Sequence, residues 1–209
     1  MLTIEKTVLP SPEQWKIIIE GMRNPKNSWS RMDSTFEDEF CVGGNDYLLM
    51  ENLAKGGAVH AKYRRMIPVY LTINAPLYWW KEFDTYKVGT VANSCSTMHK
   101  IHENEFALDD FSHEHMDEWS KVLLKKVIFL LNTNRTQFIR KKHRKDYWWQ
   151  MIQLLPTSYN QKRTVMLNYE VLCNIYHSRK NHKLDEWHTF CDWIRGLPLS
   201  ELITGEYDD

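Results

Sequence analysis

Helical periodicity dominates this sequence, and one segment typical of a β-strand interrupts it. Between residues 112 and 131 large apolar side chains recur at spacings of three and four, as on one face of an α-helix. They are Met116, Trp119, Leu123, Val127, Leu130 and Leu131. Residues 67–73, by contrast, form an Ile-Pro-Val-Tyr-Leu-Thr-Ile run that is β-rich and of strand length. The pattern predicts a helix-rich α/β fold.

Start and stop signals divide the rest of the chain into helices. Ser11-Pro12 predicts a helix start, since serine caps a helix and proline suits its first turn. That helix is expected to end near 21–24, and Ser112 is expected to cap the long helix. Further helices are predicted over 45–55, 77–86, 137–154, 163–178 and 185–195, with a polar loop over 93–99. No Gly-, Ser- or Pro-rich linker interrupts the chain, so we predict one domain over residues 1–209.

Charge, hydropathy and cysteine spacing exclude several classes of protein. Lys and Arg together number 27, and so do Asp and Glu, which gives a formal net charge of zero and argues against a nucleic-acid-coating protein. No apolar run reaches the roughly 18 residues of a membrane span. The N-terminus lacks the basic start and long apolar segment of a signal peptide. We therefore predict a cytoplasmic protein with reduced cysteines and no membrane partner.

Isolated chemical motifs give weak signals. His113 and His115 are two apart on a predicted helix, so their side chains diverge and cannot share one metal ion. We predict no metal site. The basic run 140–145 is interpreted as a solvated helix face, and its alternative is a phosphate-binding patch for single-stranded nucleic acid. Nine Trp, ten Tyr and eight Phe indicate an aromatic core, a ligand pocket or an oligomer interface, and composition does not choose among these.

Polar residues recur inside the predicted helix 163–178. Asn168 and Arg179 share a stripe with two apolar residues, and Glu170 and Asn174 lie four apart on another. One interpretation is a helix whose polar edge faces water. The other is a helix that lines a polar ligand site, with Arg179 reaching an anion.

Two blocks of the chain resemble the flavin-dependent thymidylate synthases. The C-terminal block resembles that family's LP…N-x-R-x3-N-x4-R pattern and its closing H-x-Q-W-E segment. The matching residues are Leu155, Pro156, Tyr159, Asn168, Leu172, Asn174, Arg179, His182, Glu186 and Trp187. The N-terminal block, 48–73, resembles the family's helix and strand, with His60 at the position of a flavin-contacting histidine. Ala75-Pro76 matches the Ala-Pro that opens the next helix.

The chain departs from the family at its most diagnostic positions. Thr85-Tyr86-Lys87 stands where the family has Arg-His-Arg, and Glu82 stands where it has the preceding Gln. The signature serine falls on Cys95, or on Ser96 if one residue is inserted. The remaining departures are Ser94 for an acidic residue, Glu170 for the middle arginine, and Gln153 (Ile152 without a gap) for the arginine before Leu-Pro.

The resemblance implies a mixed β-sheet wrapped by helices and a homotetramer that binds FAD and dUMP at its interfaces. It further implies reductive methylation of dUMP to dTMP, with methylenetetrahydrofolate and NADPH as co-substrates. Implied catalytic residues are Arg179 and Ser96. Implied FAD contacts are His60, Thr85, Tyr86, Lys87, Asn168, Glu170 and Asn174. Implied substrate contacts are Glu82, Ser94, Cys95, Gln153 and Arg179.

The lost arginines leave two hypotheses for activity. Each charge-assisted contact to a nucleotide contributes about 1.5–3 kcal/mol, so these losses should weaken or redirect the binding of anionic ligands. The first hypothesis is a divergent flavin-dependent enzyme that acts on a pyrimidine nucleotide. The second is a catalytically inactive homologue that keeps the fold for binding or for a structural role. Nucleic-acid binding through residues 140–145 is a third and less favoured hypothesis.

Overall fold

A four-stranded sheet and eight α-helices build the fold in the computed structural model, which describes residues 1–206. The last three residues of the predicted domain lie outside the described part. The strands are β1 (Thr3–Val8), β2 (Pro68–Pro76), β3 (Val91–Ser94) and β4 (Asn160–Asn168), in the spatial order β1-β2-β4-β3. The predicted α/β class is confirmed, and the sheet is antiparallel rather than mixed.

The helices follow the sequence signals closely where those signals are local. Their bounds are α1 Pro12–Arg23, α2 Gly44–Lys55, α3 Leu77–Phe83, α4 Glu118–Arg140, α5 Lys145–Leu154, α6 Tyr169–Arg179, α7 Asp185–Arg195 and α8 Glu201–Thr204. At the start of α1 the Ser11 hydroxyl accepts from the Gln14 N–H at 3.3 Å, and the Gln14 side chain accepts from the Ser11 N–H at 2.9 Å. This reciprocal capping box confirms the predicted helix start.

The residues cluster into two compact units. The first comprises residues 1–5, 72–85 and 93–164, and the second comprises 6–71, 86–92 and the described residues from 165 onward. Every strand contributes residues to both units. That the chain forms one domain stays a prediction.

The long helix α4 buries only part of the predicted apolar face. Leu124, Ile128 and Leu131 are buried in the core of the first unit, whereas Trp119 and Leu123 are exposed. Spacing predicted the helix correctly and its buried face in part, since Leu131 is buried and Val127 packs against the same core. The rest differs because α4 carries apolar side chains on two faces, and periodicity does not say which one is covered.

Ser112 does not cap α4, contrary to expectation. The helix begins at Glu118, and the Asp117 carboxylate accepts from the Ser120 N–H at 2.7 Å as the N-cap. The Ser112 hydroxyl instead accepts from the N-terminal ammonium of Met1 at 2.6 Å and donates to Asn160 Oδ1 at 2.8 Å. A carboxylate near the first turn satisfies the exposed N–H groups of the helix better than a hydroxyl five residues away.

The predicted helix over 137–154 is in fact the end of α4, a corner and α5. Lys142 and His143 have φ values of 53° and 62°, in the left-handed region, so the helix cannot continue through them. The basic run 140–145 therefore lies at the corner between two helices and not along one helix face. Its interpretation as a solvated helix face was wrong in this respect.

The predicted helix over 163–178 is also wrong in its first third. Residues 160–168 form β4, in which Gln161, Val165 and Leu167 are buried and the residues between them are not. This alternation is that of a strand. Asn168 is the N-cap of α6, and its Oδ1 accepts from the Val171 N–H at 3.1 Å. Its presence is explained by capping, since asparagine is disfavoured in a helix interior but favoured at its start.

Two other boundaries differ from expectation. The helix that follows Ala75-Pro76 ends at Phe83, three residues before the predicted end at Tyr86. Residues 91–94, at the start of the predicted loop 93–99, pair as the edge strand β3, and all four are exposed. A four-residue strand that is exposed along its whole length gives no hydrophobic alternation by which to recognise it.

No helix within residues 1–206 is long and apolar enough to cross a membrane. In the same part of the chain, no group of three or more His, Cys, Asp or Glu side chains is placed to hold a metal ion. The four cysteines are free thiols, and burial raises the pKa of Cys191 to about 11.

A buried ion pair organises the N-terminal part of the second unit. Arg23 Nε donates to Asp46 Oδ1 at 2.6 Å, and neither side chain is more than 3% exposed. Asp46 Oδ2 accepts from the Ser34 hydroxyl at 2.6 Å and from the Ser34 N–H at 2.9 Å. Burial opposes ionisation of Asp46, but these hydrogen bonds outweigh it and hold its pKa below the ordinary value of 3.8.

We expect Asp46→Asn to lower the free energy of unfolding by about 3–5 kcal/mol at pH 7, because Arg23 would remain buried and charged without its partner. Urea denaturation of the variant and of the parent measures this difference. The exposed Asp38→Asn is the matched control, with an expected change of less than about 0.5 kcal/mol.

The same pair has a defined pH dependence. The pKa of Asp46 is lower in the folded than in the unfolded state. The contribution of Asp46 to the free energy of unfolding is therefore fully present above the unfolded-state pKa and is lost as the pH falls through the folded-state pKa. The stability difference between parent and Asp46→Asn should therefore shrink below about pH 4. A difference that stays constant down to pH 2.5 would contradict this account.

Candidate functional site

Two residues implied by the family resemblance meet in the second unit. Arg179 Nε donates to the Tyr86 hydroxyl at 2.9 Å, although the residues are 93 positions apart. The guanidinium carbon lies 4.8 Å from the Trp187 ring centroid and 5.7 Å from that of Tyr86. These are cation–π distances, so the hydrogen bond and the two rings together fix the plane of the cation.

Local structure explains how these side chains come together. Arg179 is the last residue of α6, where the helix dipole favours a positive charge. Trp187 is fully buried in the first turn of α7, and its ring meets that of Tyr86 edge to face at 6.2 Å and that of His182 at 6.3 Å. We call Tyr86, Arg179, His182 and Trp187 the Arg179 cluster. It presents a half-buried, oriented guanidinium, the group best suited to a carboxylate or phosphate.

The segment that carries Tyr86 and Lys87 packs directly against the start of α6. Gly89 has φ of 77°, and a Cβ at this position would lie 3.1 Å from Asn168 Nδ2 and 3.2 Å from a Val171 methyl carbon. Both the left-handed backbone and this close approach require glycine. Lys87, two residues earlier, is exposed.

Glu170, at the position of a family arginine, is paired inside the second unit. Its Oε2 lies 3.0 Å from Arg64 Nε, and both side chains are largely buried. Arg64 Nη1 also donates to the Leu202 carbonyl at 2.9 Å and to Cys173 Sγ at 3.4 Å. The carboxylate is thus neutralised and presents no net negative charge to a ligand.

The other implied FAD residues of this unit lie at the surface. Asn174 is exposed on α6, and His60 is exposed at the edge of a mainly apolar pocket of about 380 Å³. Met22, Tyr63 and Met66 also line that pocket.

In the first unit the structure places Cys95 and Ser96 side by side at an exposed turn. The Cys95 N–H donates to the Lys162 carbonyl at 2.9 Å, and its own carbonyl accepts from Gln161 Nε2 at 2.7 Å. The Ser96 hydroxyl accepts from the His99 N–H at 2.9 Å. Both residues border a pocket of about 390 Å³ that Tyr159 also lines.

Sequence reasoning missed a cation behind this turn. Arg163 Nε donates to Gln161 Oε1 at 3.0 Å, its Nη1 donates to Asp84 Oδ1 at 2.7 Å, and its guanidinium carbon lies 4.2 Å from the Trp80 ring centroid. Gln161 in turn holds Cys95, as described above. The alternation of β4 places Gln161 and Arg163 on one face of the strand and could have indicated this network. It was missed because residues from 163 onward were assigned to a helix.

Thr85, Ser94 and Gln153 are three further residues that the resemblance implies. The Thr85 hydroxyl donates to the backbone carbonyl of Glu82 at 2.7 Å. Ser94 ends β3, and Gln153 is exposed on α5. Within residues 1–206, neither Ser94 nor Gln153 makes a side-chain hydrogen bond to another implied site residue.

Comparison with solved structures gives the fold a clear parallel. Thymidylate Synthase X (ThyX) from Helicobacter pylori with FAD and dUMP superposes with a TM-score of 0.66 at 14% identity, over 98% of this chain and 96% of that one. A second H. pylori ThyX complex with FAD and dUMP gives 0.64 at 14% identity, over 98% and 97% of the chains. The UMP/dUMP methylase PolB from Streptomyces cacaoi, bound with 5-Br dUMP, gives 0.64 at 12% identity, over 98% and 94%.

Sequence comparison gives no such parallel: no family model matches, and no curated protein is significantly similar. The structural likeness covers nearly the whole chain, so the chain has the fold of the flavin-dependent thymidylate synthases. The fold implied by the resemblance is confirmed. At 12–14% identity the likeness concerns the fold, and function has to be argued from the site.

Proposed function

We propose that the protein is a divergent flavin-dependent thymidylate synthase-like enzyme that binds FAD and a pyrimidine nucleotide, with reductive methylation of dUMP to dTMP as its default reaction. The observation that carries this proposal is the Arg179 cluster, which joins Arg179, His182 and Trp187 of the C-terminal resembling block to Tyr86 at the position of the family's signature histidine. The similar structures were solved with FAD and dUMP or with a dUMP analogue, which supports the same ligand classes here. A cytoplasmic location belongs to the same proposal.

Arg179 is the residue that we assign to the nucleotide. Its guanidinium is held by the Tyr86 hydroxyl and by the Trp187 ring, so little rotamer entropy remains to be lost when an anionic oxygen binds. A planar cation in this setting can orient a phosphate or stabilise negative charge that develops on a uracil oxygen. Separately, in the first unit, we propose that Cys95 or Ser96 offers a thiol or a hydroxyl to the substrate.

The residues at the implied FAD positions offer hydrogen-bond donors that suit FAD, but few of them are charged. Lys87, Asn174 and His60 are exposed and can each donate a hydrogen bond to a diphosphate oxygen. Glu170 does not repel the diphosphate, because Arg64 neutralises it. Tyr86 offers an aromatic face for a ring. Lys87 is the one permanently charged cation among the implied FAD residues, so we expect weaker retention than a site with three arginines would give.

When bound, FAD supplies the electron transfer that the methylation needs, with NADPH as the source of reducing equivalents and methylenetetrahydrofolate as the one-carbon donor. The chain's own contribution is to bind and orient the nucleotide through Arg179 and the dinucleotide through Lys87 and its neighbours. The alternative function is a catalytically inactive homologue used for binding or structure. Thr85 and Gln153 in place of arginines favour that alternative.

Visible absorbance separates the two functions. We expect purified protein that has been incubated with FAD and desalted to keep a flavin band between about 370 and 450 nm, and dUMP to perturb that band. Lys87→Ala should reduce the retained flavin, whereas the exposed Lys183→Ala should not. A spectrum without flavin in the parent protein would contradict the enzyme proposal and favour the inactive homologue.

Calorimetric titration with dUMP tests the role of Arg179. Loss of one charge-assisted contact costs about 1.5–3 kcal/mol, so Arg179→Ala should weaken binding by roughly 10- to 150-fold. The exposed Arg65→Ala removes the same charge elsewhere in the second unit and should change the affinity less than twofold. Unchanged dUMP affinity in Arg179→Ala would refute the site assignment.

We also propose that the chain forms a homo-oligomer, with the homotetramer as the expected state. The exposed face of α4 supports this: Trp119, Leu123 and Phe129 are 85%, 63% and 70% exposed, and Val122 and Leu130 lie beside them. Trp119 and Phe129 alone leave on the order of 300 Å² of aromatic surface in water. Contiguous apolar patches of a few hundred Å² mark interaction sites, and a stable interface buries about 800 Å² per partner.

The occupant that fits this face is a second copy of the chain. A two-fold interface needs a self-complementary patch. An antiparallel pairing of two α4 helices centred on residue 126 places Val122 opposite Leu130 and Leu123 opposite Phe129. In this pairing Trp119 meets Thr133, and the two copies of Lys126 face each other and have to extend their ammonium groups to the edge of the contact. This pairing would provide one of the interfaces that a homotetramer requires.

Analytical ultracentrifugation tests the interface. We expect the parent to be oligomeric and Leu123→Glu with Phe129→Glu to shift it to a smaller species, because buried carboxylates oppose association. Lys125→Glu changes the charge of the same helix by the same amount and should leave the oligomer intact. A monomeric parent that binds anionic lipid vesicles would show that α4 is covered by a membrane surface instead.

A further inference from the structure

The second unit carries a polar pocket that the proposed function does not use. It lies between the loop 24–31 and one face of α2, and its volume is about 560 Å³, within the range of small-molecule sites. The loop contributes Lys26, Asn27 and Arg31, and α2 contributes Asn45, Leu48 and Asn52. We call it the α2 pocket. Its described lining contains none of the residues assigned above to FAD or dUMP.

The loop wall of the α2 pocket is fixed by the buried Arg23 guanidinium beneath it. Nη1 donates to the Ser28 carbonyl at 3.2 Å, Nη2 donates to the Arg31 carbonyl at 3.1 Å, and Nε is paired with Asp46. The bonds from Nη1 and Nη2 hold the backbone of the loop and leave the side chains of Lys26 and Arg31 to line the pocket. A pre-ordered wall loses less entropy when a ligand binds.

The charge of the α2 pocket favours an anion. Lys26 and Arg31 are exposed, and neither forms an ion pair within residues 1–206. The charge of Arg23 is balanced by Asp46. None of the lining residues that the structure describes is acidic. The pocket therefore concentrates two uncompensated positive charges beside a concave surface, the electrostatic arrangement that attracts a phosphate group.

The α2 wall adds groups that suit a polar ring. Asn45, Leu48 and Asn52 recur at spacings of three and four, so they share one helix face. Among the described residues, the side-chain amides of Asn27, Asn45 and Asn52 have no hydrogen-bond partner. An amide both donates and accepts, as the edge of a nucleobase requires, and the exposed Leu48 offers an apolar surface for a ring or sugar.

We propose that the α2 pocket is a second ligand site, which binds a nucleoside monophosphate or a phosphate ester of similar size. Lys26 and Arg31 hold the phosphate, and Asn45 and Asn52 contact the ring system. The site is independent of the Arg179 cluster, because the two share no residue.

Calorimetric titration of the full chain at low salt, with AMP and with inorganic phosphate as probes, tests the site. We expect the parent to bind both probes and Lys26→Ala with Arg31→Ala to bind each at least tenfold more weakly. This variant should fold normally, since Arg23 holds the backbone carbonyl of Arg31 and not its side chain; its circular dichroism melting curve checks this. Lys16→Ala with Arg65→Ala removes the same charge from exposed positions outside the pocket and should bind within twofold of the parent.

Two further variants localise the contacts. Asn45→Ala with Asn52→Ala should weaken AMP binding and leave the binding of inorganic phosphate unchanged. Arg179→Ala should leave AMP binding unchanged, so failure of the dUMP proposal and failure of this one are distinguishable. The proposal is overturned if the parent binds neither probe, or if Lys26→Ala with Arg31→Ala binds AMP as tightly as the parent. Loss of AMP binding in Arg179→Ala alone would place that ligand at the Arg179 cluster and also overturn it.

Discussion

The Arg64 guanidinium is the interaction on which the organisation around α6 depends. It lies in the short helical turn Lys62–Met66 and joins Glu170 of α6 to the Leu202 carbonyl of α8. Removing either charge would leave the other buried without compensation, which is far more costly than losing a surface pair. Glu170 thus has a structural explanation at a position where the resembling family has arginine. The negative charge at this position is matched from within the chain and need not abolish anion binding nearby.

In each unit an arginine near an implied site residue is oriented by an aromatic ring and a hydrogen-bond acceptor. Arg179 is set by Trp187 and the Tyr86 hydroxyl, and Arg163 by Trp80 together with Gln161 and Asp84. An aromatic face fixes the plane of a guanidinium without cancelling its charge, as a carboxylate would. Arg179 donates to the Tyr86 hydroxyl and is the residue that we assign to an anionic ligand. Arg163, paired with Asp84, is better explained as a support for the Cys95 turn.

Local signals predicted most of the helices, and tertiary pairing decided what they missed. The capping box of α1 depends on a few adjacent residues, so the start of that helix was predictable. The strands β1, β3 and β4 gain their stability from neighbours distant in sequence, and β4 was assigned to a helix although Gln161, Val165 and Leu167 alternate. The contact between Tyr86 and Arg179 was within reach of the family resemblance. The network of Gln161 and Arg163 could not be inferred from that resemblance, because its geometry depends on the strand β4.

The two apolar faces of α4 also bear on flavin binding. Trp79, Trp80 and Trp187 are buried, so part of the aromatic content is core, whereas Trp119 and Phe129 are exposed and support an interface. If FAD lies across an interface between copies, as the family resemblance implies, then FAD binding and assembly are thermodynamically linked. FAD would then promote association, and dilution would release flavin without any change in its contacts. The implied FAD residues carry few positive charges, and α4 has an exposed apolar face. Both features agree with FAD binding in an oligomer, since the free energy of association can stabilise a cofactor that a single chain binds weakly.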